Sequence, residues 1–314
     1  METKRKNKLI IILGPTSSGK TDISIKLAKK FNGEIISADS RQVYKGMNIG
    51  TGKVTKKEMA GIPHYLLDVA DPKTRFSVAQ YQKLALRAIK KIQKKNKLPI
   101  LVGGTGFYIQ SVADGIVIPK VKPDWKLRKK LEKLTTNQLF KKLKELDPKR
   151  AESIDKYNPR RLIRALEIVL KSKRPVGSLS HSERFKTLFL GIKKDQKELN
   201  VLIKKRLLKR LDEGMINEVK RLHKSGVSFK RLEEFGLEYR FVAQYLQARQ
   251  NFHKKNLGGQ GKLKYDEMVI RLQKEIEHYA KRQMTWFKKD KRIKWVKNYQ
   301  QAFIISKNFI KKRS

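Results

Sequence analysis

The sequence predicts an α/β protein: a parallel sheet flanked by helices and interrupted by an all-helical insertion. Two observations predict it. Short apolar runs at 9–13, 34–38, 65–69 and 99–102 alternate with helical patterns through the first third of the chain, which is the rhythm of a parallel α/β sheet. A helical stretch rich in Lys and Leu then follows, bounded by Pro119 and Pro123 on one side and by Arg174-Pro175-Val176-Gly177 on the other. After it the apolar run 187–192 returns as a further strand of the same sheet. The expected organisation is therefore 1–118 with 184–314 as the α/β core and 119–183 as the inserted helical domain.

The first apolar run leads directly into Gly14-Pro15-Thr16-Ser17-Ser18-Gly19-Lys20-Thr21, and a helical pattern continues through Lys30. Strand, glycine loop, Lys-Thr and helix in that order make a phosphate-binding loop, so the sheet is read as P-loop NTPase-like. Gly14 and Gly19 let the backbone turn its N–H groups inward on an anion. Lys20 adds a point charge, and Thr21 offers a hydroxyl to Mg²⁺ at a helix N-terminus. The ligand carries a di- or triphosphate; the motif names the group bound and not the reaction.

The second run ends in Ala38-Asp39-Ser40-Arg41-Gln42-Val43-Tyr44, which puts Asp39 at the carboxyl end of a strand, the edge where ligands sit in an open α/β sheet. A carboxylate there can bind Mg²⁺ or take a proton from a nucleophile; it can equally be a turn or N-cap aspartate. The fourth run ends in Gly103-Gly104-Thr105-Gly106, where nucleotide hydrolases carry a carboxylate, and this weakens an ATPase reading. A glycine pair lets a substrate approach the backbone and the Thr105 hydroxyl could donate to a phosphate, although a plain tight turn reads the same way. In the insertion, Asn158-Pro159 opens a helix with Arg160 and Arg164 four apart on one face, suited to phosphate.

From Gln196 the pattern is helical almost to the end, broken by a loop around 251–264 whose Gly258, Gly259 and Gly261 read as a flexible connector. Arg206, near Lys205 and Arg210, can reach a diphosphate from its helix or lie on a solvated face. Further on, Ala280-Lys281-Arg282-Gln283-Met284-Thr285-Trp286-Phe287 sets cations beside an amide and aromatics that can stack on bases or belong to the core.

Composition narrows the partner. The chain has 314 residues, 39% of them hydrophobic, enough for a sizeable core. Its 76 Lys and Arg against 29 Asp and Glu give a net charge of +47, which implies a polyanion and favours nucleic acid. The absence of cysteine excludes disulfides, thiolate zinc sites and cysteine nucleophiles, and fits a reducing cytoplasm. The basic N-terminus is followed by an apolar run that stops after five residues, too short for a signal peptide or a membrane span.

Taken together the motifs resemble those of the tRNA dimethylallyltransferases. The glycine loop, the 38–44 segment followed by Asn48-Ile49-Gly50-Thr51-Gly52-Lys53, His64-Tyr65-Leu66-Leu67-Asp68, Asp71-Pro72, Gly103-Gly104-Thr105-Gly106-Phe107-Tyr108, the 158–167 helix and 281–286 occur in that family's order over nearly the whole chain. The resemblance implies transfer of a prenyl group from dimethylallyl diphosphate to N6 of the adenine just 3′ of the anticodon, in tRNAs that read codons starting with U. By that resemblance residues 14–21 hold the diphosphate with Mg²⁺ on Thr21 and Asp39, Asp39 is the general base, and Arg206 lies near the diphosphate. Ser40, Arg41 and Gln42 help hold a flipped adenine. Thr105, Arg128, Arg160, Arg161, Leu162, Ile163, Arg164, Lys281, Arg282, Gln283, Met284, Thr285, Trp286, Phe287 and Lys288 match positions that touch the tRNA anticodon stem-loop. A monomer with no membrane association is expected. The sequence departs from the common pattern at Glu233-Glu234-Phe235-Gly236-Leu237-Glu238-Tyr239-Arg240 and, harmlessly, at Ser17, where alanine is frequent.

Overall fold

The computed structural model describes residues 7–119, 121–176, 184–255 and 265–312. They form two compact units, one from 1–113 with 184–314 and one from 114–183.

The larger unit is built on six strands, β1 (Lys8–Leu13), β2 (Gly33–Ser37), β3 (His64–Tyr65), β4 (Leu98–Gly103), β5 (Lys186–Ile192) and β6 (Lys294–Val296). Their order is β3-β2-β4-β1-β5-β6 and every pairing is parallel. The helices that connect and cover them are α1 (Lys20–Phe31), α2 (Lys56–Met59), α3 (Val78–Lys94) and α4 (Gly106–Ala113) ahead of the second unit. That unit holds α5 (Trp125–Leu131), α6 (Thr136–Leu146), α7 (Pro148–Ser153) and α8 (Pro159–Ser172). The first unit then resumes with α9 (Gln196–Asp212), α10 (Met215–Lys224), α11 (Phe229–Phe235), α12 (Leu237–Lys255), α13 (Tyr265–Phe287) and α14 (Tyr299–Lys311).

The sheet is covered on both faces, which is why β1 reads as an unbroken apolar run rather than an alternating one. Leu9, Ile11 and Leu13 belong to a core shared with Tyr81 and Ile89 of α3 and with residues of α9 to α13. Ile10 and Ile12 point the other way, into a core shared with Ile23 and Leu27 of α1 and Ala302 of α14. Because the strands are parallel, β1, β2 and β4 all deliver their carboxyl ends to one edge. The glycine loop, Asp39 and Thr105 follow those three ends.

Three features differ from the sequence reading. Of the apolar run 65–69 only Tyr65 lies in β3, because Leu66 and Asp68 take positive φ (65° and 57°) and the chain turns away from the sheet. An edge strand, β6, lies where the pattern read as helical; it pairs Leu190 with Lys294 and Ile192 with Val296, and its three residues are too few to show a period of two. The helical unit begins at Asp114, ahead of Pro119. The proposed connector at Gly258, Gly259 and Gly261 lies outside the described residues, as does Gly177.

The helical unit has its own core of Leu131, Leu139, Leu143, Leu162, Ile163, Leu166 and Val169. Thr135 and Gln138 form a capping box at the start of α6, and Asn158 caps α8 with Pro159 at its first turn.

Candidate active site

The glycine loop leaves β1 and enters α1 through Ser17 and Gly19, at φ 60° and 85°. Gly19 has no side chain to cap α1, so no side-chain hydrogen bond closes the N-terminus of that helix. The Ser18 hydroxyl is buried in the loop and has no hydrogen-bond partner. Lys20 donates from Nζ to the Pro15 carbonyl at 2.5 Å. Burial above all, and then the neighbouring charge of Arg206, bring its pKa down to about 7 against the opposing charge of Asp39. Uncapped helix dipole, orphaned hydroxyl and a cation short of counter-charge together make a cradle complementary to an anion.

Asp39 occupies the turn after β2. Its Oδ1 accepts from the backbone N–H of Arg41 at 2.7 Å and of Gln42 at 3.2 Å. Oδ2 makes no hydrogen bond among the described residues, so the turn occupies one oxygen of the carboxylate and leaves the other open. The phenols of Tyr108 and Tyr279 are pushed up, Tyr279 to about 12, first by burial and also by the charge of Asp39.

Thr105 is not simply turn filler. Its Oγ1 accepts from the Ser40 N–H at 3.1 Å and its own N–H donates to the Ala38 carbonyl at 3.2 Å, which ties the end of β4 to the turn carrying Asp39. Gln283 ties the same edge from α13: its Oε1 accepts from the Thr16 N–H at 2.8 Å and its Nε2 donates to the Gly104 carbonyl at 2.9 Å. A side chain at Gly104 would run into the Gln283 amide nitrogen, so glycine is required there by close approach.

Arg206 reaches the site from α9 and donates from Nη2 to the Gly52 carbonyl at 3.3 Å. Burial lowers its pKa to about 10, as does Arg210, while Glu238, Asp39 and Glu58 raise it. Arg210, one turn on, donates to the Gly50 carbonyl at 3.1 Å and pairs with Glu238 at 2.7 Å. Gln42 is held by its amide, which donates to the Gly52 carbonyl at 3.2 Å and accepts at Oε1 from the Ser37 hydroxyl at 3.2 Å.

Four of the residues that match tRNA-touching positions by the resemblance are buried in the structure. Leu162 and Ile163 are in the core of the helical unit, Phe287 is in the core of the larger one, and Gln283 is the buried clamp just described. Helical periodicity explains it on α13: the buried positions are Met268, Leu272, Ile276, Ala280, Gln283 and Phe287, one stripe of one helix. Lys281, Arg282, Thr285 and Lys288 are exposed; Met284 and Trp286 are half-buried. In the helical unit Arg160 and Arg161 are exposed. Arg128 and Arg164 instead converge on Glu167, whose side chain is fully buried. Arg128 binds it through two nitrogens at 2.8 and 2.7 Å, and the Asp124 N–H adds a third bond at 2.6 Å. Burial pushes the Glu167 carboxyl up, but the bonds from Arg128, the Asp124 N–H and Arg164 outweigh it and leave the pKa below the usual carboxylate range.

Sequence reasoning missed Glu218, Glu238 and Tyr239, and it missed what Gln283 does. Two of these carry a legible signal. Glu218 lies in a buried stripe with Met215, Val219 and Leu222, and Gln283 in one with Ala280 and Phe287. A lone polar residue on an apolar helical stripe must find partners inside.

A glycine loop between β1 and α1, with Asp39 and Arg206 beside it at the carboxyl edge of a parallel sheet, defines a P-loop-like α/β protein. The family model described as IPP transferase matches residues 42–290. The tRNA dimethylallyltransferase of Acetivibrio thermocellus is 40% identical over 299 residues, covering 92% of this chain and 91% of that protein. That of Bacillus cytotoxicus is 39% identical over 306 residues, covering 94% and 92%. Among solved structures, the tRNA isopentenylpyrophosphate transferase of Bacillus halodurans superposes with a TM-score of 0.68 at 35% identity, covering 97% of this chain and 95% of the other. A eukaryotic dimethylallyltransferase described as acting on tRNA superposes with a TM-score of 0.79 at 27% identity, covering 98% and 80%. The chain belongs to the IPP transferase family, that of the tRNA dimethylallyltransferases.

Proposed function

We propose that the protein transfers a dimethylallyl group from dimethylallyl diphosphate to N6 of the adenine 3′-adjacent to the anticodon in tRNAs that read U-starting codons. The observation that carries this reading is geometric. Arg206 and Gln42, which belongs to the turn that bears Asp39, both donate to the Gly52 carbonyl, at 3.3 and 3.2 Å, at the strand edge from which the glycine loop with Lys20 leaves β1. The acceptor amine is a poor nucleophile because its lone pair is delocalised into the ring. As the N6–C1 bond forms, the N6 proton passes to Asp39 Oδ2. The C1–O bond breaks in the same event and its electron pair leaves with the diphosphate, whose growing charge meets the loop N–H groups, Lys20 and Arg206.

The residues fit Mg²⁺. Thr21 is exposed at the first turn of α1 and would offer a hard hydroxyl oxygen; Asp39 Oδ2, the expected second ligand, is instead the atom that takes the N6 proton and would not also hold the ion. No group of three His, Cys, Asp or Glu side chains among the described residues could hold a metal alone, so diphosphate oxygens and water would complete the shell, as Mg²⁺ prefers. Bound there, the ion would neutralise charge on the departing diphosphate.

The tRNA reading is supported by the net charge of +47 and by the exposed Arg160, Arg161, Lys281, Arg282 and Lys288. A base inside a stacked loop cannot reach Asp39 and must be turned out, at a cost of about a few kcal/mol that phosphate contacts offset. No helix among the described residues is long and apolar enough to cross a membrane, and a chain without cysteine suits a reducing cytoplasm.

The test is incubation with Mg²⁺, radiolabelled dimethylallyl diphosphate and unmodified tRNA, with AMP in a parallel tube. Label in tRNA, lost when the adenine after the anticodon is replaced, is the expected result. Label in AMP alone would make the protein a free-nucleotide prenyltransferase.

A further inference from the structure

The loop between β2 and α2 carries groups for both halves of the reaction on one atom. The Gly52 carbonyl accepts from Gln42 Nε2 at 3.2 Å and from Arg206 Nη2 at 3.3 Å. Gln42 belongs to the turn that bears Asp39, and Arg206 belongs to the diphosphate side. The placement of that carbonyl therefore sets the distance between the base and the leaving-group cation.

What holds the loop is a buried carboxylate from a distant helix. Glu218, on α10 and 2% exposed, accepts from the N–H of Asn48 at 2.8 Å and Ile49 at 2.7 Å through Oε2, and from Gly50 at 3.0 Å through Oε1. The Tyr239 hydroxyl donates to the same Oε1 at 2.7 Å. The rest of the loop is tied to these residues: Gly52 N–H donates to Ile49 O and Lys53 N–H to Asn48 O, both at 2.9 Å, and Thr51 Oγ1 donates to Asn48 O at 3.2 Å. Three successive amides converging on one ionised group give charge-assisted bonds, the strongest kind available to a loop. Gly52 itself, at φ 57°, has no room for a side chain, because a Cβ would meet the Arg206 and Arg210 guanidinium groups.

We propose that Glu218, with Tyr239 orienting it, is a positioning residue for prenyl transfer: it fixes the 48–52 loop so that the Gly52 carbonyl holds Arg206 and the Asp39 turn in register. The inference rests on the function proposed above. It also accounts for the segment where the sequence departs from the family pattern, since 233–240 supplies both Tyr239 and the Glu238 that pairs with Arg210.

Glu218→Gln separates positioning from folding. It is isosteric, yet it sets an N–H₂ group against either the Gly50 N–H and Tyr239 hydroxyl or the Asn48 and Ile49 N–H groups. Transfer to tRNA is measured for wild type, Glu218→Gln, Tyr239→Phe, Arg206→Ala and the Glu218→Gln/Arg206→Ala double variant. Each is normalised to the folded fraction and compared below its own melting temperature. The expected result is a fall of about tenfold or more in kcat/KM for Glu218→Gln, a smaller one for Tyr239→Phe, and a Glu218→Gln effect below about threefold once Arg206 is absent. Losses that multiply independently in the double variant, or a Glu218→Gln protein with wild-type kcat/KM per folded molecule, would overturn the proposal. If Glu218→Gln does not fold, the cycle is run with Tyr239→Phe and Arg206→Ala, and independent losses there overturn it equally. A wild type that prenylates no tRNA would instead overturn the function on which the proposal rests, and the proposal with it.

Discussion

Asp39 shows how much a single residue can be asked to do. Its position after a strand was legible in the sequence, but the choice between turn aspartate and base was not, because that choice depends on which backbone N–H groups face each oxygen. Oδ1 serves the turn, and Oδ2 is left for chemistry. Asp39→Asn keeps an acceptor for the Arg41 and Gln42 amides and removes the basic oxygen. It is expected to lower single-turnover transfer by about 100-fold or more while tRNA affinity stays within about threefold; an equal loss of binding would mean that the carboxylate is structural. Lys20 gives a second expectation. With its pKa near 7 in the ligand-free protein, the side chain is largely neutral at pH 8. A bound diphosphate supplies the missing counter-charge and raises the pKa, so binding takes up a proton at pH 8 and nearly none at pH 6. Titration calorimetry of inorganic diphosphate in buffers of different ionisation enthalpy reads this directly, and uptake that does not change with pH would contradict it.

At the scale of elements, the site is held by ties between segments far apart in sequence. α13 clamps the glycine loop to the end of β4 through Gln283, α10 clamps the 48–50 loop through Glu218, and Thr105 ties β4 to the Asp39 turn. Gln283→Leu would leave the Thr16 N–H and the Gly104 carbonyl without partners, at about 1–3 kcal/mol each if neither reaches water. The expected outcome is a lower melting temperature together with a raised KM for dimethylallyl diphosphate. A lowered melting temperature with KM unchanged would show that the clamp serves folding only. Gln283 matched a tRNA-contact motif yet lies in a buried stripe; the motif says which residue is present, while the helical phase says which way it points.

At the scale of the whole molecule, charge is the dominant property. A net charge of +47 exceeds what solubility needs and creates a field that draws in a polyanion. Binding of tRNA should therefore weaken steeply with salt, losing about 10³-fold or more between about 50 and 200 mM if several phosphates are neutralised. Filter binding across that range checks it, and a flat response would remove electrostatics as the basis of RNA binding. By itself the sequence determined the parallel α/β class, the phosphate loop, the helical insertion and the family, because these rest on local periodicity and on motifs contiguous in the chain. Only the tertiary structure decided that β6 completes the sheet, that Leu162, Ile163, Gln283 and Phe287 face inward, and that Glu218 holds a loop far ahead of it in the chain. Those facts depend on which helix face meets the sheet and on where buried polar groups find their partners, and such partners lie across the fold rather than along the chain.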